Sequence, residues 1–188
     1  MDGGARLEQA HTAWAGDWHA VWQVEWAGAP VNGPLVAEIW HAADGRLRIE
    51  TLEAPVAALN GLTLVSVGRQ AWLYNLRLNQ AQSGTPEQVR IPLVEDMLEA
   101  MDWLQAQAAQ ATISAISLDE LESGAATRLE MVTVAGNRVT VWLNEQTGLP
   151  AGFELHSGPW GEVKCLTRWL ERPTRLADAL FRTTSDPH

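Results

Sequence analysis

The stretch Trp18-His19-Ala20-Val21-Trp22-Gln23-Val24-Glu25-Trp26 decides how the chain is read. In an extended backbone, Trp18, Ala20, Trp22, Val24 and Trp26 fall on one face, and His19, Val21, Gln23 and Glu25 on the other. Period-two alternation over nine residues marks a half-buried strand. The Trp spacing of four would also suit a helix, but the polar residues then fail to gather on one helical face. The segment is a strand, and its inner face carries three large rings.

Before it, residues 5–15 have weak helical character, from Ala5, Leu7, Ala10, Ala13 and Trp14, and stop at Gly16. After it, Gly28–Gly33 contains Pro30 and Asn32 and forms a turn. Leu35–His41 alternates Leu35, Ala37 and Ile39 against Val36, Glu38 and Trp40. Asp44-Gly45 marks a tight hairpin with φ > 0 at both turn residues, and Arg46–Leu52 follows as its second strand. The period predicts that Leu35, Ala37, Ile39, Leu47 and Ile49 point inward with the Trp row, and that Arg46, Arg48 and Glu50 face water. Leu62–Val67, a turn at Gly68-Arg69 and Ala71–Asn75 make another hairpin. Gln80–Ser83 adds a short strand before Gly84-Thr85-Pro86 breaks the chain.

The period changes at Ile91. Leu93, Val94, Met97, Leu98, Met101 and Leu104 recur at helical spacing, with Glu95, Glu99 and Asp102 on another face. Pro92 suits the first turn of a helix, which runs from there to about Ala111, roughly 30 Å. Strands return at Thr112–Leu118, Ala126–Val134, Arg138–Asn144, Gly152–His156 and Glu162–Leu170, with Gly136-Asn137 as a two-residue hairpin turn and Gly158-Pro159 beginning another. The order is a helix, five or six strands, a long helix, then four or five strands. Short turns make the neighbours antiparallel, and a sheet of about ten strands curls or closes. One domain spanning residues 1–188 results, with a concave side that the helix from about 92 to 110 covers as a lid, its Leu93, Met97, Met101 and Leu104 facing the sheet.

Composition excludes some partners. The net charge is −10, from 13 basic and 23 acidic residues, and Lys164 is the only lysine. Phosphate backbones are bound by neutralising Lys and Arg, so no nucleic-acid partner is expected, nor adhesion to anionic headgroups. Cys165 is the single cysteine, so no internal disulfide forms. No apolar run reaches the length of a membrane span and no signal peptide is read. Met1-Asp2-Gly3-Gly4 reads as an initiator on a trimmed chain.

Neither a catalytic nor a metal site is expected, and no cofactor. Phosphate loops, dinucleotide fingerprints, paired-His metal helices and nucleophile elbows are not found. Cys165 and His156 lie on strands that could form one hairpin, but a small apolar thiol in a sheet accounts for the cysteine. Asp119-Glu120-Leu121-Glu122 lacks the spacing of a calcium loop and reads as a solvated strand end. His11, His19 and His41 show no ligand spacing. Ten tryptophans against two phenylalanines and one tyrosine suit a deep core or an apolar ligand surface. The Trp18, Trp22 and Trp26 row alone favours core over a pocket for an acyl chain, and Met97 and Met101 are similarly two-sided.

Three stretches resemble the LolA/LolB-like superfamily of outer-membrane lipoprotein carriers, with its related periplasmic sensor domains and mycobacterial lipoproteins. They are Asp44-Gly45-Arg46-Leu47-Arg48-Ile49-Glu50; the hairpin from Leu64 to Asn75 with Gly68, Trp72 and Tyr74; and Val141-Trp142-Leu143-Asn144-Glu145-Gln146-Thr147-Gly148-Leu149-Pro150. Leu180-Phe181 is similar to the family's pair near the C-terminus. Asn144 departs from the family's usual Asp. The resemblance implies a mainly β (α+β) fold, a curved antiparallel half-barrel of about eleven strands with helices covering the concave side. It implies a non-enzymatic, extracytoplasmic binding protein of the periplasm or cell surface, with a lipid anchor as a further expectation. Its partner would be a lipid or an acylated lipoprotein, or, on the alternative reading, a membrane protein regulated by a sensor or interaction domain. The cavity so implied would be lined by Trp18, Trp22, Trp26, Leu35, Ile39, Leu47, Ile49, Trp72, Leu93, Met97, Met101 and Leu104. One fold hosts several functions, so the fold transfers more securely than the carrier role.

Overall fold

The computed structural model describes residues 2–27, 33–108, 110–157 and 161–183. Residues 28–32 of the expected Gly28–Gly33 turn, and Gly158-Pro159, lie outside that set. Helix α1 (Gly3–Trp14) precedes six strands: β1 (Trp18–Ala27), β2 (Leu35–His41), β3 (Leu47–Glu53), β4 (Leu62–Val67), β5 (Gln70–Asn75) and β6 (Gln80–Gly84). Helix α2 (Val94–Ala108) follows, then β7 (Thr112–Leu121), β8 (Gly124–Val132), β9 (Arg138–Asn144), β10 (Pro150–Leu155) and β11 (Glu162–Glu171).

All eleven strands form one open antiparallel sheet in the order β6-β5-β4-β3-β2-β1-β11-β10-β9-β8-β7. The first and last strands therefore lie side by side in the middle. From β1 the chain meanders to one edge, α2 carries it back across the concave face, and β7 to β11 return to the centre. This is the curled sheet expected from the number of strands, with the helices on its concave side that the resemblance implied.

Strand register follows burial. Ile39 lies opposite Ile49, and Ala37 opposite Trp22. Trp18, Trp22, Leu35, Ala37, Ile39 and Ile49 are all buried in one core, which also holds Val94, Met97, Met101 and Leu104 from α2 and Ala10, Ala13 and Trp14 from α1. Trp26, Leu47 and Leu93 pack against that core while partly exposed. A register slip of one residue would turn Arg48 and Glu50 inward in place of Ile49, which is why the pairing is fixed.

The convex face departs from expectation. Leu176 and Phe181 from the C-terminal segment pack on Ala42 and Val65, with Trp40, Val67 and Leu180 around them. Arg46 and Arg48 consequently do not simply face water. The Arg46 guanidinium lies 4.6 Å over the Phe181 ring and bonds Asp44 and Asp178. Arg48 pairs with Glu50, donates to the Leu180 carbonyl at 3.1 Å and sits beside Trp40. All three side chains are half-buried because the segment folds back over β2 to β4.

The turns also differ in detail. Both expected two-residue hairpins are longer: Ala42 and Arg46 close one, Thr133 and Asn137 the other. Gly45 (φ 83°) and Gly136 (φ 82°) take the positive φ, while Asp44 does not. That is a turn followed by a glycine bulge. Helix α2 begins at Val94, not at Pro92, because Leu93 adopts φ 72°, a left-handed conformation that stops the helix from extending backward. Asn144, where the resembled pattern has Asp, is explained by its bonds. Its Oδ1 accepts from the Gln146 and Thr147 amides, and its Nδ2 donates to the Ser123 carbonyl. A carboxylate could not make the last bond.

Candidate functional site

The concave face has two ends with different packing. Under the C-terminal end of α1, Trp14 stacks on Trp18 with centroids 4.2 Å apart and meets Trp22 edge-on at 6.3 Å. His41 stacks on Trp18 at 5.2 Å, and its Nδ1 lies 3.1 Å from the Gly16 carbonyl. The Trp18 indole donates to the Trp14 carbonyl at 3.1 Å. These rings fill their space with one another, so α1 rather than α2 roofs the Trp row. Helix formation at 5–15 was legible, but its role as the cover was not, since only Trp14 announced it.

The opposite end is looser. A cavity of about 50 Å³ lies between Leu7, Ala10 and His11 of α1, Met101, Leu104, Gln105 and Ala108 of α2, and Val141, Leu143, Pro150, Gly152 and Phe153 of the sheet. Its lining is apolar except at His11 and Gln105. Small residues open it: Ala10 and Ala108 leave a gap between the helices. Gly152 lets β10 approach β11, where a Cβ would sit 2.7 Å from the Cys165 carbonyl oxygen.

Polar links hold the helices over this space. Arg6 of α1 pairs with Glu145 and donates to Thr127 at 2.6 Å, and Thr127 also bonds Glu145. The Arg6 hydrogen bond, with that from Thr127, holds the Glu145 carboxyl below the usual carboxylate range. His11 Nδ1 is 2.8 Å from Gln105 Oε1, joining α1 to α2. Removal from water by the surrounding protein pushes the Asp102 carboxyl of α2 up, against the lowering effect of the neighbouring Trp14 indole.

Of the residues expected to line a cavity, Met101 and Leu104 line this one. Trp18, Trp22, Leu35, Ile39, Ile49 and Met97 are buried in the same continuous core, with Trp26, Leu47 and Leu93 at its margin. Trp72 is a correction. It pairs with Val65 of the convex cluster, while Ala71 and Leu73 of the same strand reach the concave core. Alternation places Trp72 on the outer face. Sequence reading missed Leu7, His11, Gln105, Val141, Leu143 and Phe153; only the alternation of β9 hinted at the inward valines and leucine.

Cys165 points into the core opposite Phe153 and Val24, and burial pushes its thiol well above its ordinary value. His156 lies exposed beyond the end of β10. The two do not form a nucleophile–base couple. Asp119 accepts from the Trp142 indole at 2.8 Å, and among the described residues no cluster of His, Cys, Asp or Glu is arranged to hold a metal. Among them, too, no helix is long and apolar enough to cross a membrane.

By sequence, the chain matches no protein-family model and no curated protein. Solved structures do match its fold. An uncharacterized conserved protein from Thermus thermophilus superposes with a TM-score of 0.57 at 16% identity, over 97% of this chain and 94% of that one. The Pseudomonas aeruginosa MucA/MucB complex gives 0.60 at 15%, over 98% of this chain but 62% of that one, so this chain spans under two thirds of that relative. LprF from Mycobacterium bovis gives 0.56 at 13%, over 93% and 95%. At these identities the likeness is one of fold. The fold they share with this chain is the open antiparallel half-barrel with helices on one face that was expected from the sequence.

Proposed function

We propose that this protein is a non-enzymatic, extracytoplasmic binding protein that holds an acyl chain, free or carried by a lipoprotein, between its two helices and β9–β10. The cavity carries this reading. It is bounded by two separate helices and a sheet, lined by apolar side chains, and located where a His11–Gln105 contact links the helices. At about 50 Å³ it is well below the roughly 300 Å³ at which pockets for drug-sized ligands begin. The chain must therefore enter by parting α1 from α2 and displacing Met101 and Leu104. Methionine and leucine on one helix, with alanines facing them, make such repacking cheap.

Native mass spectrometry of the purified protein should reveal co-purified lipid. Titration with a long-chain fatty acid should give a saturable change in tryptophan fluorescence, since Trp14 rides on the helix that must move. Absence of both would overturn the reading. A second reading has one specific support: the fold is shared with MucB, whose structure was solved with MucA. On that reading the domain regulates a membrane-protein partner and moves no cargo. It gains if lipid binding fails while the protein retains a partner in a co-purification from its native membranes.

A further inference from the structure

The cavity wall is apolar on all sides but one, and the exception is arranged. Gln105 Oε1 is engaged by His11 Nδ1 at 2.8 Å, whereas Gln105 Nε2 is sealed from solvent and has no partner among the described residues. A buried amide N–H without an acceptor is unfavourable, and the residue that carries it lines a space shared with Leu7, Met101, Leu104 and Phe153. The unsatisfied donor and the apolar lining complement two parts of a single molecule.

We infer that Gln105 is the head-group contact of the ligand: its Nε2 donates to the carbonyl or carboxylate oxygen at the head of an acyl chain whose tail runs between the helices. The inference rests on the acyl-chain reading above and adds the class of head and the direction of entry. His11 is exposed, so the head sits near the solvent side of the helix pair and the tail points toward Phe153. His11 acts as a positioning residue. An N–H on its Nδ1 holds the carboxamide oxygen, which turns the amide nitrogen to the cavity. A hydrocarbon or a head without an acceptor leaves that donor unpaired and loses the contact.

The test compares two soluble twelve-carbon amphiphiles, laurate and dodecyltrimethylammonium; the second has no hydrogen-bond acceptor. Affinities are measured by calorimetry for the parent, Gln105→Leu, Gln105→Met and His11→Ala. The expected result is that laurate binding weakens about tenfold in both Gln105 variants, a loss typical of one hydrogen bond to a charged group. Binding of the cation should be unchanged. His11→Ala should narrow the discrimination between the two without weakening the cation. The Gln105 variants lose the link to His11 together with an unpaired buried donor, so unchanged binding of the cation is the check that the cavity remains formed. Equal laurate affinity in parent and Gln105 variants overturns the head-group assignment and leaves the acyl reading standing. Equal weakening of both amphiphiles also overturns it, pointing to altered packing. If neither amphiphile binds the parent, the acyl reading itself fails and takes this inference with it.

Discussion

The two ends of the concave face are closed by different means. At one end, Trp14, Trp18, Trp22 and His41 stack in a solid group. At the other, Ala10, Ala108, Met101 and Leu104 leave a gap against Val141 and Phe153. The tryptophans attract the eye as a ligand surface, but large flat rings that face one another satisfy their own packing. Small and linear side chains between two separate helices leave room. In this fold the place to look for a ligand is where the helices carry alanine, not where the sheet carries tryptophan.

The largest effect should come from the filled end. Trp22 is fully buried, and Trp22→Ala should lower unfolding free energy by about 3–5 kcal/mol, read from urea denaturation. Laurate should not restore that loss, since the new void lies away from the cavity. Leu104→Ala at the open end should cost about 2 kcal/mol, the low end for a buried leucine, because it already borders empty space. Ligand should recover part of this loss, by an amount that grows with its concentration. Equal losses, equally rescued, would erase the distinction between the two ends.

A smaller effect belongs to the wall between them. Gly152 sits where an added Cβ would lie 2.6 Å from Leu166 Cδ2 and 2.7 Å from the Cys165 carbonyl oxygen. The leucine can move; the backbone oxygen cannot without disturbing the β10–β11 ladder. Gly152→Ala should therefore destabilise by about 1 kcal/mol, the low end for overpacking because part of the clash is with a movable leucine. An unchanged melting curve would mean that this close approach does not shape the cavity.

The unequal legibility of the two ends has the same origin. Alternation in Trp18–Trp26, Leu35–His41, Leu62–Val67 and Arg138–Asn144 is strong because one face of each strand is heavily apolar, and the register follows. Trp72 was placed in the cavity by resemblance and not by period, on a strand that carries large side chains on both faces, Trp72 and Tyr74 outside and Leu73 inside. What buries the outer face is a C-terminal segment of only a few apolar residues, Leu176, Leu180 and Phe181, too short to carry a period. The cavity was harder still. His11 and Gln105 lie 94 residues apart, and no local spacing connects two helices so far apart in the chain. The Trp row could not be sorted into core or pocket until Trp14 was seen lying on it.

The smallest expected effect concerns the clamp that holds the N-terminal half of α1 over the open end. Arg6 and Thr127 both bond the Glu145 carboxylate, and those bonds hold its pKa below the usual range. A carboxylate whose pKa is lower folded than unfolded adds stability at pH values above its unfolded pKa, and that stability disappears as pH falls through the folded one. Glu145→Gln keeps the shape but removes the charge. At neutral pH it should cost less than about 1 kcal/mol, the range for a pair this close to solvent. Urea denaturation of parent and variant from pH 7 downward should show the difference closing as the parent's own carboxylate is protonated. At its other end α1 is held by the packing of Trp14 on Trp18 and Trp22. Protonating the neighbouring Asp102, whose carboxyl is pushed up by burial, does not weaken that end, so acid should loosen the cavity end first. Hydrogen exchange should then quicken in the first turns of α1 before it quickens around Trp14. A difference between parent and variant that stays constant with pH, or exchange that rises evenly along α1, would mean the clamp does not set the strength of the open end.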